Sequence, residues 1–110
     1  MTQDGNVSSA GRIQVVIDSG IEDLIPGYME NRQEDIKSIL GSLAVGDYET
    51  VLILGHSMKG SGGGYGFDGI SEIGQTLELA AKEKDAGTIE RVVADLANYL
   101  EQVDIVFEEQ

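Results

Sequence analysis

Apolar residues recur at steps of three and four through most of this chain. Ile21, Ile25, Tyr28, Met29, Ile36, Ile39, Leu40 and Leu43 make a first stripe, the pattern of a helix that buries one face. Pro26 lies inside it. It either occupies the first turn of a long helix or divides a short helix from a longer one. Gly46-Asp47 ends the segment, and Asp47 is placed to cap the next helix. That second helix is predicted from about residue 47 to 66. The third begins near Asp68 as N-cap and sets Ile70, Ile73, Leu77, Ala80 and Ala81 on one face. Lys82 and Lys84 fall in its last turn, where cations suit the helix dipole. After the turn Asp85-Ala86-Gly87-Thr88, a fourth helix carries Ile89, Val92, Val93, Leu96, Leu100, Val103 and Phe107. Four amphipathic segments on short connections predict an all-α fold, an antiparallel four-helix bundle over residues 18–110. Ahead of it, residues 1 to about 12 are polar and rich in Gly and Ser. Residues 13–17 are a short apolar run, a strand or an arm packed on the body. Residues 1–17 are therefore expected to be a partly disordered, flexible N-terminal arm or a short extra helix.

Composition removes several functions. The 110 residues suit one domain with a modest core. There is no cysteine, so neither a disulfide framework nor a thiolate metal site is available. Seven Lys and Arg against 20 Asp and Glu give a net charge of −13. Such a chain is repelled by nucleic acid and anionic lipid, whose binding depends on clustered cations. The start of the chain lacks the basic and apolar regions of a signal peptide, and no apolar run approaches a bilayer span. A cytoplasmic protein with protein partners, no nucleic acid and no membrane is expected.

His56 is the one histidine, followed by Ser57, Lys59 and a run of glycines at 60, 62, 63, 64 and 66. At about 100° per residue, with His56 as zero, Val51, Leu54, Met58, Gly62 and Tyr65 fall between about 160° and 240°. That stripe is the core face, opposite His56. Leu52, Lys59, Gly60 and Gly63 lie within roughly 60° of His56, with Ile53 at the margin. His56 is therefore expected on the exposed face, with Lys59 one turn away. Lys59 is either a solvated lysine or a cation held near whatever negative group His56 meets. Leu52 and Ile53 beside a histidine suit a docking surface. Each glycine in a helix interior costs roughly 0.8–1 kcal/mol relative to alanine. Either the helix breaks after Lys59, or it continues and the missing side chains allow close approach. Met58, Gly62 and Tyr65 continue the core stripe, which favours the second. Gly62 would then admit a neighbouring helix, and Gly60 and Gly63 would clear space beside His56.

Several strings imitate catalytic motifs and fail. Gly55-His56-Ser57-Met58-Lys59 lacks the second glycine of a nucleophile elbow, and no other histidine exists to act as base. Residues 55–61 have no lysine after Gly60 and no preceding strand, as a phosphate loop requires. The glycine run misses the dinucleotide spacing. One histidine with scattered carboxylates is a poor zinc site, so no metal ligand is assigned. A paired-carboxylate hydrolase stays open by residue count alone, although acidic side chains on helix exteriors are mostly a solvated face.

The residues that remain resemble the histidine-containing phosphotransfer (HPt) domains of two-component phosphorelays. The matching positions are His56, Lys59-Gly60, Ser61-Gly62, Gly66, Ile70 and Leu77-Glu78. The stretch from Leu24 through Pro26 to Arg32 looks like the family's first helix, and Gly46-Asp47 stands where such domains carry Gly-Asp. The resemblance covers roughly residues 18–108. Glycine is denser after Lys59 than the family's alanine or serine. The resemblance implies that His56 takes a phosphoryl group from a receiver aspartyl phosphate or a kinase and passes it to another receiver. It implies no independent turnover and no cofactor of the chain's own, with Mg²⁺ supplied by the receiver. Lys59 would compensate phosphoryl charge, and Gly60 and Gly63 would give room. Glu78 either orients the ring through Nδ1–H or is an exposed helical glutamate. Leu52, Ile53, Ser57 and Gly64 would meet the partner, a receiver domain or a hybrid or sensor histidine kinase. A free-standing monomer is expected. The rival from another class is a non-catalytic helical adaptor binding a signalling protein.

Overall fold

The computed structural model describes residues 12–109. The described residues begin with strand β1 (Ile13–Asp18) and a short 3₁₀ segment (Ser19–Leu24), then form four helices. These are α1 (Ile25–Ala44), α2 (Tyr48–Tyr65), α3 (Asp68–Lys82) and α4 (Ala86–Gln102), followed by strand β2 (Val103–Glu108). The helices are joined by two or three residues each, links short enough to fold each helix back on its predecessor. The predicted helical bundle is present, and its core takes Ile39, Val51, Met58, Ile70, Leu77 and Leu96, all at most 1% exposed.

Local chemistry sets the boundaries. Pro26 sits in the first turn of α1, where its missing N–H is not needed, and the 3₁₀ segment precedes it as a separate piece. Asp47 and Asp85 cap α2 and α4 in the same way. The Asp47 carboxylate accepts from Thr50 N at 3.1 Å and from Thr50 Oγ1 at 2.6 Å. Asp85 accepts from Thr88 N at 3.1 Å and from Thr88 Oγ1 at 2.7 Å. These bonds hold both carboxyls below their ordinary value, chiefly through the threonine hydroxyls. The N-cap of α3 is Phe67 rather than Asp68, which is the helix's first residue.

The end of α4 needs correction, and the alternative left open for residues 13–17 is settled. Val103 and Phe107 do not extend α4, which stops at Gln102. Residues 13–17 take the strand alternative. β1 pairs with β2 in parallel, in register from Ile13↔Val103 to Asp18↔Glu108. Ile13, Val15 and Ile17 turn inward with Val103 and Ile105, while the intervening positions face out, the period-two alternation of a half-buried strand. Arg12 secures the corner. Its guanidinium donates to Glu101 O at 2.8 Å and Val103 O at 3.0 Å, and pairs with Asp104 at 3.7 Å. The arm expected over residues 1–17 is thus a paired strand from Ile13 on, and its residues 1–11 lie outside the described residues. In the first helix, Leu40 departs from the core stripe and is 45% exposed.

Candidate functional site

α2 runs unbroken through its glycines to Tyr65 and ends at Gly66, whose φ of 98° makes it a left-handed C-cap. Two contacts explain why so glycine-rich a helix persists. On one side, Tyr28 of α1 stacks on Tyr65 with ring centroids 4.3 Å apart and shares a hydrogen bond with Ser61 Oγ at 3.0 Å. Arg32 lies over the Tyr28 ring at 4.3 Å, a cation–π contact. On the other side, α3 comes so near that side chains would not fit. A Cβ at Gly62 would lie 2.5 Å from Ser71 N, and one at Gly55 would lie 2.8 Å from Glu78 N and 2.9 Å from Gly74 O. A Cβ at Gly74 would run into the backbone of Lys59, Gly55 and Met58. Ser71 Oγ closes the seam by donating to Lys59 O at 2.7 Å.

The seam sets the geometry beside His56. Gly55 precedes the histidine and touches the backbone of Glu78, so the glutamate carboxylate reaches across from α3. Glu78 Oε2 is 3.1 Å from His56 Nδ1, and its Oε1 is 3.6 Å from Lys59 Nζ. The His56 side chain is 69% exposed, that of Lys59 44% and that of Glu78 only 13%. The exposed-glutamate alternative for Glu78 therefore falls away. Desolvation pulls its carboxyl upward, but the His56 hydrogen bond and the charges of Lys59, His56 and Lys82 together hold it below its ordinary value. It is a carboxylate at neutral pH, and it accepts a proton bond from Nδ1. An imidazole that donates from Nδ1 keeps the lone pair of a neutral ring on Nε2.

The other expected site residues share this face unequally. Ile53 is 55% exposed, Ser57 is exposed and Leu52 is half-buried. Gly60 and Gly64 have open space where a Cβ would stand, and Gly63 meets only Ser71 Oγ at 3.9 Å. The chain's own packing thus does not require glycine at 60 or 64. Gly55 and Gly74 were missed as parts of the site. On the helical wheel Gly55 falls beside Gly62, and Gly74 lies in the Ile70–Leu77 stripe, so their periodicity carried the signal. Among the described residues no group of three or more His, Asp or Glu is placed to hold a metal ion, and no helix is long and apolar enough to cross a membrane.

The four-helix bundle thus carries an exposed histidine, held from below by a carboxylate and flanked by a lysine. The Hpt domain family model matches residues 23–105, which include α1 to α4 and His56, Lys59 and Glu78. No curated protein and no solved structure matches the chain. The match spans more than half of the chain and agrees with the bundle, so the chain belongs to the Hpt domain family, phosphocarrier domains of two-component signalling that have no catalytic activity of their own.

Proposed function

We propose that this protein is a cytoplasmic phosphorelay intermediate, phosphorylated on His56 by a receiver aspartyl phosphate or a kinase and dephosphorylated by another receiver. The observation that carries this reading is the exposed His56 ring with Nδ1 held by Glu78. The Nε2 lone pair forms the new N–P bond while the aspartyl O–P bond breaks and the receiver carboxylate departs. No base is needed, because the attacking nitrogen carries no proton. The Nδ1 proton stays, and the positive charge that develops on the ring faces the Glu78 carboxylate. Lys59, within reach of the same face, compensates phosphoryl charge. Gly60 and Gly63 keep that face low enough for a receiver's active site, with Leu52, Ile53, Ser57 and Gly64 around it. The Mg²⁺ that screens the phosphoryl oxygens belongs to the receiver.

The partners are receiver domains and a hybrid or sensor histidine kinase, and the chain acts as a monomer. Incubation with ³²P-labelled receivers tests the reading. An acid-labile, base-stable label should move onto the protein and be absent from His56→Gln. Label retained by that variant would remove His56 from the role. A helical adaptor without chemistry predicts binding to a partner that His56→Gln leaves unchanged, and no label at all.

A further inference from the structure

A groove of about 620 Å³ lies on another face, between β1 and the start of α3. One wall is formed by residues 13–16 together. Successive strand side chains point to opposite faces. Inward-turned Ile13 and Val15 and outward-turned Gln14 and Val16 all line it, the pattern of a strand whose main-chain edge faces the groove. The partner β2 occupies the other edge, and among the described residues the sheet has two strands. Gly66 packs alongside, where a Cβ would come within 3.8 Å of Val16 O. The opposite wall is Asp68 and Glu72, with Tyr99 between. A second hollow of about 400 Å³ shares Glu72 and Tyr99 and extends to Asp95, with Arg91 facing it.

We propose that this groove binds an extended, lysine- or arginine-bearing segment of a partner protein, which adds to β1 as a third strand. Among the described residues no strand pairs with this edge, which offers main-chain donors and acceptors, the requirement for strand addition. Asp68, Glu72 and Asp95 set three carboxylates against one guanidinium, which selects cationic side chains. A second copy of this chain is the wrong occupant. Its β1 reads Ile13-Gln14-Val15-Val16-Ile17-Asp18 and brings no cation, and each copy carries −13. The site is separate from His56. Glu72 stands six residues before Glu78 on α3, about 120° around the helix from it. β1 also precedes the family-matched residues, which begin at 23. The groove would tether the domain to a partner while the His56 face remains open, and it does not depend on phosphotransfer.

The probe is a short labelled peptide of alternating valine and lysine, titrated into the full chain and followed by anisotropy and amide NMR. Binding should shift amides of residues 13–16 and of Asp68, Gly69 and Glu72. It should weaken by roughly tenfold or more in Glu72→Lys, where like charges now meet. A peptide with glutamate for lysine should not bind. A lysine peptide with N-methylated amides keeps its charge but cannot pair with a strand, and should also lose binding. Equal affinity for the methylated peptide, or shifts scattered over the acidic surface, would overturn the proposal. So would shifts at β1 that grow with protein concentration alone, which would assign the edge to a second copy.

Discussion

Glu78 serves two neighbours with its two oxygens, Nδ1 of His56 and Nζ of Lys59. Its effect on His56 is a choice of tautomer, and that choice can be measured apart from activity. In the wild type ¹⁵N NMR should find the proton on Nδ1. Glu78→Ala should restore a mixture weighted to Nε2–H and slow phosphotransfer by roughly 10–100-fold, the range typical of losing an orienting partner. Glu78→Gln keeps an acceptor and should hold the tautomer while losing part of the rate. An Nδ1–H tautomer that persists in Glu78→Ala would leave the carboxylate without this role. Lys59→Ala should slow transfer with little change in urea midpoint, because a half-exposed ion pair adds little stability. Unchanged transfer across several receivers would make Lys59 a surface lysine. His56 and Lys59 were legible from the helical wheel alone. The His56–Glu78 contact was not, because it depends on how closely two helices approach.

That approach belongs to the elements. α2 and α3 meet through Gly55, Gly62 and Gly74, each with backbone where a Cβ would go. Backbone cannot swing aside as a side chain can. Gly74→Ala should therefore destabilise by at least about 1–3 kcal/mol and lengthen the His56–Glu78 contact. Gly60→Ala, in open space, should stabilise by about 1 kcal/mol and slow transfer only if receivers need the room. A destabilised Gly60→Ala would show that α2 needs its flexibility there. The caps carry a pH dependence. Asp85 is held below its ordinary value of 3.8 by Thr88. Its stabilisation is complete above the unfolded-state pKa and disappears as pH falls through the lower folded one. Asp85→Asn keeps the cap without the charge. The advantage of wild type over this variant should be constant near neutrality and shrink between about pH 4 and the folded pKa. A constant difference down to pH 2 would deny the linkage. Asp35 runs the other way, since burial raises its carboxyl against the pull of Arg32. The N-terminal end of α2 was legible because Asp47 caps it locally, whereas residues 85–88, read as a turn, are the Asp85 cap and the first turn of α4. β2 was not legible, because Val103 and Phe107 are four apart. That step continues a helical stripe as readily as it makes two steps of a strand, and the deciding partner is β1, 90 positions earlier in register.

Across the whole molecule that sheet sets the first and last strands side by side over a core that includes Ile17, 1% exposed. The bundle closes under a heavy charge imbalance. Twenty carboxylates face seven lysines and arginines, and compaction draws the excess negative charge closer together. The screening length falls from about 30 Å at 0.01 M salt to about 8 Å at 0.15 M. Most of the described carboxylates are exposed, where this screening acts in full. Added NaCl at pH 7 should therefore raise the melting temperature, with most of the gain below about 0.2 M, and KF should act alike. Near pH 4, where many carboxylates are protonated, the same additions should do much less. A salt effect that keeps growing above 1 M at both pH values would instead be the ordinary strengthening of apolar burial. Charge repulsion would then have no measurable part in the stability of this fold.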